Sequence, residues 1–139
     1  MTKLYLGYSC DTYPPWMEEH LGRNARYIGK SVLRGYQLCF RRQPGDDKSK
    51  ASIVEKENSL TPCVLWQINS VGEKVLEKMF AGYEKKLVSV EYCGINNIEA
   101  LAFIIPEQNP LSDPDQEIVE TIKKAYKLQD IRCDLFVNG

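Results

Sequence analysis

Tyr8, Ser9, Cys10 and Asp11 set a phenol, a hydroxyl, a thiol and a carboxylate side by side at the end of an apolar run, "KLYLGYS" (3–9). That run is β-prone and reads as a buried strand. Small polar groups on a turn that closes a core strand suit a ligand-binding loop, because a turn's backbone N–H groups can hold an anion. The alternative is a plain turn in which Asp11 caps the next helix. A cysteine nucleophile at Cys10 or Cys63 would need an adjacent base, and the single histidine, His20, is not obviously placed to serve either. Cys63 reads as a small core filler.

These groups are positioned by a simple order of elements. "PPWMEEHL" (14–21) opens with a proline pair and suits a short helix. "ARYIGKSVLRGYQLCF" (25–40) reads as one long strand or two joined ones. After the charged loop "RRQPGDDKSK" (41–50), the segments 51–56 and 63–68 read as two further strands. Ser70 and Glu73 have capping-box spacing, and Val71, Val75, Leu76 and Met79 give the helix that follows an apolar face. Segments 86–92 and 98–105 form a hairpin whose loop, carrying Gly94, Asn96 and Asn97, is longer than the minimal turn. Asp113 is the expected cap of a last helix that runs to about Leu128, with Ile118, Val119, Ile122, Ala125 and Tyr126 on one side. Segment 131–137 is a final strand or a docked tail. This order lacks regular β–α alternation, so the fold class is α+β: a small mixed β-barrel or sheet with peripheral helices, formed by one domain over residues 1–139.

Composition narrows the function. Eighteen basic and nineteen acidic residues leave a net charge of −1, which gives no general attraction to nucleic acid or to an anionic membrane. No apolar run is long enough to span a bilayer and no signal peptide is evident, so a cytoplasmic location is expected. The five cysteines are spread without a C-x-x-C pair, and neither a disulfide framework nor a metal site is expected. The oligomeric state is left open.

Several motifs occur in a telling order. Leu33, Gly35, Tyr36, Leu38 and Phe40 stand in one strand; Ala51, Ser52 and Ile53 follow; "TPCVLWQI" ends in Leu65, Trp66 and Ile68; and "DPDQEIVETIKKAYKLQDI" closes the series. Together with the Tyr8–Asp11 turn they resemble the gamma-glutamylcyclotransferase family over residues 3–131. In that family the matching pieces read Tyr-Gly-Ser-Asn, Leu-x-Gly-Tyr-x-Leu-x-Phe, Ala-Thr-Ile and Val-x-Gly-x-Leu-Trp/Tyr-x-Ile. The resemblance implies a small mixed β-barrel flanked by helices, a γ-glutamyl compound or related small molecule as ligand, and no cofactor. It also implies a reaction in which the glutamyl α-amine attacks its own γ-carbonyl, releasing 5-oxoproline and an amine. The turn holds the substrate, and the Glu of a Leu-Asp-x-x-Glu-Gly motif carries the proton.

The sequence departs from that pattern at the chemistry. Tyr8 is kept, but Ser9, Cys10 and Asp11 replace Gly, Ser and Asn. Ser9 adds a Cβ where the backbone could need unusual angles, and Asp11 adds a negative charge beside a site meant for a carboxylate. The proton-carrying motif aligns with "LEKMFAG" (76–82), so the catalytic Glu falls on Phe80, or on Ala81 with a one-residue longer loop. Neither side chain moves protons. The expectation is a protein with a degenerate catalytic motif that binds a small ligand or runs altered chemistry, with Tyr8, Ser9, Cys10, Asp11, Phe80 and Tyr83 around one concave site. An active cyclotransferase would need a displaced carboxylate, Glu77 or Glu84. A protein-docking surface built on the aromatics of "TYPPW" is the reading of a different class.

Overall fold

A computed structural model describes residues 2–43, 45 and 49–131. Five strands and three α-helices make up the frame: β1 (Thr2–Gly7), α1 (Pro14–Leu21), β2 (Ala25–Arg41), β3 (Lys50–Asn69), α2 (Ser70–Met79), β4 (Glu84–Tyr92), β5 (Ile95–Ile104) and α3 (Gln116–Leu128). The strands close into a ring in the order β1-β3-β2-β4-β5. Neighbours run antiparallel except where β1 meets β5 in parallel, at Tyr5 and Leu101, so the sheet is mixed as expected. The ring interior holds Leu6, Leu33, Ile53, Leu65, Ala102 and Ile122, which lose water contact almost completely. A second apolar cluster, with Met17, Leu21, Val64, Trp66, Leu76 and Phe103, glues α1 and α2 to the outer side.

The segments expected as separate strands at 51–56 and 63–68 are one continuous strand. β3 runs twenty residues and pairs with β2 from Lys50–Arg41 to Ile68–Ala25. Local composition breaks at the polar stretch 55–60, and the strand bulges there: β2 pairs with it at Glu55 and again at Leu60, and residues 56–59 lie between without a β2 partner. Thr61 donates from its hydroxyl to the Tyr36 carbonyl at 2.9 Å where the register shifts after Arg34. Residues 25–41 likewise form one strand, with irregularities near Gly29 and Gly35.

The β4–β5 connection is tighter than expected. β4 ends at Tyr92 and β5 starts at Ile95, so Cys93 and Gly94 alone make the turn. Both have positive φ, 50° and 75°, the sign that a twist-matched two-residue hairpin turn requires. Asn96 and Asn97, expected in the loop, lie inside β5.

Both expected helix caps shift. Asn69, not Ser70, caps α2, its side-chain oxygen accepting from the Gly72 N–H at 2.8 Å. Glu73 does not close a capping box; its carboxylate pairs with Lys3 and Lys85 at 3.0 and 2.5 Å. Val71 faces water instead of the core. Asp115, not Asp113, caps α3, accepting from the N–H groups of Glu117 and Ile118. The expected apolar side of α3 is buried through Val119, Ile122, Ala125 and Tyr126. The tail expected at 131–137 lies, after Ile131, outside the described residues. Among the described residues no helix is long and apolar enough to cross a membrane.

Candidate functional site

β1 delivers Tyr5 into the outer cluster and Tyr8 into the ring, then turns through the short 3-10 segment Cys10–Thr12. Three other elements pin that turn. The Tyr8 hydroxyl donates to the Phe103 carbonyl on β5. The Trp66 indole N–H on β3 donates to the Asp11 backbone carbonyl at 2.9 Å. The Gln129 side-chain amide, just past α3, donates to the Thr12 carbonyl. Ser9 sits at φ −121°, outside the left-handed region, so its Cβ meets none of the backbone conflict that the replacement of glycine suggested.

Asp11 is the least expected feature. It does not cap α1, whose N-cap is Tyr13 with no side-chain hydrogen bond. Instead its carboxylate folds back into the turn that carries it and is only 4% exposed. Oδ1 accepts from the Ser9 N–H at 2.9 Å, and Oδ2 accepts from the Tyr5 hydroxyl. Backbone hydrogen bonds involving its own N–H and Tyr8 add to these. Burial raises the Asp11 pKa; the bonds from Tyr5 and the backbone oppose that rise without cancelling it. Burial, reinforced by Asp11, also pushes the Cys10 thiol up to about 11. At neutral pH Cys10 is a thiol and a poor nucleophile. Burial pushes Cys63 further, to about 12.

The opposite wall comes from the end of α2. Phe80 closes the helix, its N–H donating to the Leu76 carbonyl, and the Tyr83 N–H donates back to the Phe80 carbonyl at 3.0 Å. Gly82, at φ 90°, takes the left-handed position of this turn. The Phe80 ring stacks on Phe103, with centroids 5.2 Å apart and planes at 29°, and meets Tyr83 at 5.0 Å.

Between the two turns lies a cavity of about 260 Å³. Tyr8, Ser9, Cys10 and Asp11 line one side and Phe80 and Tyr83 the other, so the structure brings together all six residues singled out as ligand-binding candidates. Glu77 and Glu84 are not in its lining. Glu77 is exposed and pairs with Lys85 at 2.6 Å, and Glu84 is an exposed residue at the start of β4. Glu117 lies exposed in the first turn of α3, the position of a helix-stabilising acid. Asp11 is the one carboxylate among the described lining residues. Sequence reading missed Tyr5, Gln43, Lys50, Met79, Phe103 and Ile118 there. Trp16 also lines the cavity, so an aromatic of "TYPPW" faces the pocket. Its place just after the turn was a usable signal; Phe103 and Lys50 carry none, because long-range pairing alone puts them there. Among the described residues no cluster of His, Cys, Asp and Glu could hold a metal.

No protein-family model and no curated protein matches the sequence. Solved structures do match. One titled gamma-glutamyl cyclotransferase superposes with a TM-score of 0.85 at 15% identity, over 93% of this chain and 80% of that one. The chain has the gamma-glutamyl cyclotransferase fold. The uncharacterized human protein loc79017 superposes equally well, at 0.85 and 15% identity over 96% of this chain and 83% of that one. YkqA from Bacillus subtilis follows at 0.75 and 21% identity, over 91% of this chain and 49% of that one. The expected fold class, a mixed small barrel or sheet with peripheral helices, is the one observed. In this gamma-glutamyl cyclotransferase fold the cavity opens between the first strand's turn and the end of α2.

The raised pKa of Asp11 predicts a measurable pH dependence. The folded protein holds this proton to higher pH than the unfolded chain, where an aspartate titrates near 3.9. The resulting stability is fully present below about pH 4 and is lost as pH climbs through the raised folded value. Asp11→Asn has no such proton. The unfolding free energy of wild type minus that of the variant should therefore fall as pH rises from about 4 to 8, measured by urea melts at each pH. A difference that stays flat, or that grows with pH, refutes the burial effect.

Proposed function

We propose that this protein is a gamma-glutamylcyclotransferase-like binder of a small molecule, held between the Tyr8–Asp11 turn and the Phe80–Tyr83 turn, without ordinary cyclotransferase turnover. One observation carries the reading. The wall that should present the family's proton-carrying Glu presents Phe80, whose ring is packed against Phe103. Aromatic walls and a few convergent polar groups are the usual make-up of a small-ligand site. Loss of a general base costs about 10²–10⁴ in rate, enough to remove useful turnover. The ligand is a small molecule, with no role for nucleic acid or membrane, and the working location is the cytoplasm.

The test is a time course of 5-oxoproline release from γ-glutamyl amino acids and γ-glutamyl amines. Wild type should stay at the uncatalysed background. Turnover that disappears in Glu77→Gln or Glu84→Gln would install that residue as a displaced base and refute the proposal.

A second reading is favoured by the Asp11 geometry. A buried carboxyl with a raised pKa, lining an open cavity, suits altered acid–base chemistry. Under that reading turnover appears in wild type, survives both glutamate changes and is lost in Asp11→Asn.

A further inference from the structure

Asp11 presents a chemical contradiction for a pocket that takes an acid. The backbone groups of its turn are the donors best placed to hold a carboxylate, and they already bond the Asp11 side chain: Ser9 N–H at 2.9 Å, with further bonds from Tyr8 and from Asp11 itself. The Tyr5 hydroxyl donates to the other oxygen. An incoming anion finds those donors taken and meets a like charge beside them.

Asp11 forms no ion pair among the described residues. A carboxylate this deeply buried is costly without a cation. Aromatic side chains share the lining with it: Phe80 stacked on Phe103, Tyr83 at 5.0 Å from Phe80, and Trp16 at the start of α1, whose ring stacks on His20 at 4.1 Å. Aromatic rings that line one cavity with a carboxylate suit an organic ammonium ion, through ring quadrupoles and a charge-assisted hydrogen bond. Lys50, half-buried at the start of β3, also lines the cavity and carries the opposite preference. Among the described residues its ammonium makes no hydrogen bond or ion pair, whereas Asp11 is fixed by several bonds, so the acid is the preorganised group.

We propose that the pocket takes a small organic ammonium ion with an apolar or aromatic body, its positive charge directed at Asp11. This rests on the small-molecule reading above and names the ligand class. The cation then supplies the missing counter-charge, and the body covers Phe80, Tyr83 and Trp16.

Titration calorimetry with phenethylamine, 3-phenylpropionate and 5-oxoproline, paired with tryptophan fluorescence to report the pocket, tests it. Phenethylamine should bind at least about tenfold more tightly than 3-phenylpropionate, which has a similar body and the opposite charge. Asp11→Asn should abolish that preference. Phe80→Leu should weaken the amine severalfold while sparing the preference, and it serves as the second variant should Asp11→Asn fold poorly. Lys50→Gln should tighten the amine. Tighter binding of 3-phenylpropionate or 5-oxoproline than of the amine overturns the ammonium proposal and leaves the small-molecule reading standing. Failure of all three to bind folded wild type overturns both.

Discussion

Phe80→Glu combined with Asp11→Asn is expected to release 5-oxoproline from a γ-glutamyl substrate at about 10²–10⁴ times the wild-type background. The two changes repair separate defects. Glutamate at position 80 puts a carboxylate on the α2 side of the cavity, where a ring now packs on Phe103. Asparagine at position 11 removes the negative charge from the turn, and with it the repulsion of a substrate carboxylate. Phe80→Glu alone should stay near background, because Asp11 still repels the substrate. Asp11→Asn alone should also stay there, for want of a base. The measurement is 5-oxoproline formed over time, with binding of 5-oxoproline as a separate readout. Equal turnover from Phe80→Glu alone would mean that Asp11 is no obstacle to the substrate. No turnover from a folded double variant that binds 5-oxoproline would refute the placing of the proton carrier at position 80.

Gly7→Val should be the most damaging single change to the fold at this site, at about 3 kcal/mol or more. A Cβ added at Gly7 would lie 2.8 Å from the Asp11 Cγ and 2.9 Å from the Asp11 backbone oxygen. Real Cβ atoms do not approach so closely, so the turn must move outward. It cannot do so freely, because the same carbonyl accepts from the buried Trp66 indole. Overpacking of this kind costs about 1–3 kcal/mol, and a lost buried hydrogen bond about 1 more. Gly7→Ala should show a smaller loss through the same contact. Urea melts should show a lower midpoint at unchanged slope, while Val71→Ala, on an exposed face of α2, shifts it little. A Gly7→Val protein as stable as wild type would mean that the turn can slide off Trp66 without cost, and that Asp11 is not fixed as described.

The order of elements is legible along the chain, because it is written in local signals. An apolar strand stops at Tyr8, prolines open α1, and an apolar stripe runs along α3. The sequence also shows that position 80 carries no acid, since identity alone decides that. The two walls of the cavity were legible too, through motif order. Tertiary structure decided the rest. β3 is one strand because β2 pairs with it on both sides of the polar stretch, at Tyr36–Glu55 and Arg34–Leu60, while residues 56–59 bulge out opposite Gly35, and pairing across the sheet is invisible in a local pattern. The hairpin tightens to Cys93 and Gly94 because Tyr92 pairs with Ile95, and Asn96 and Asn97 are taken up in a bulge of β5 before the ladder resumes at Val90–Ile98. Glu77 turns to Lys85 and Asp11 turns inward for a related reason: each carboxylate goes where its donors are, and those donors lie on other elements or on backbone whose direction only the fold sets. The character of Asp11 follows from exclusion of water by Tyr5, Trp66 and the strands around them. A proton affinity set by burial belongs to the packed surroundings, which assemble from residues far apart in the chain.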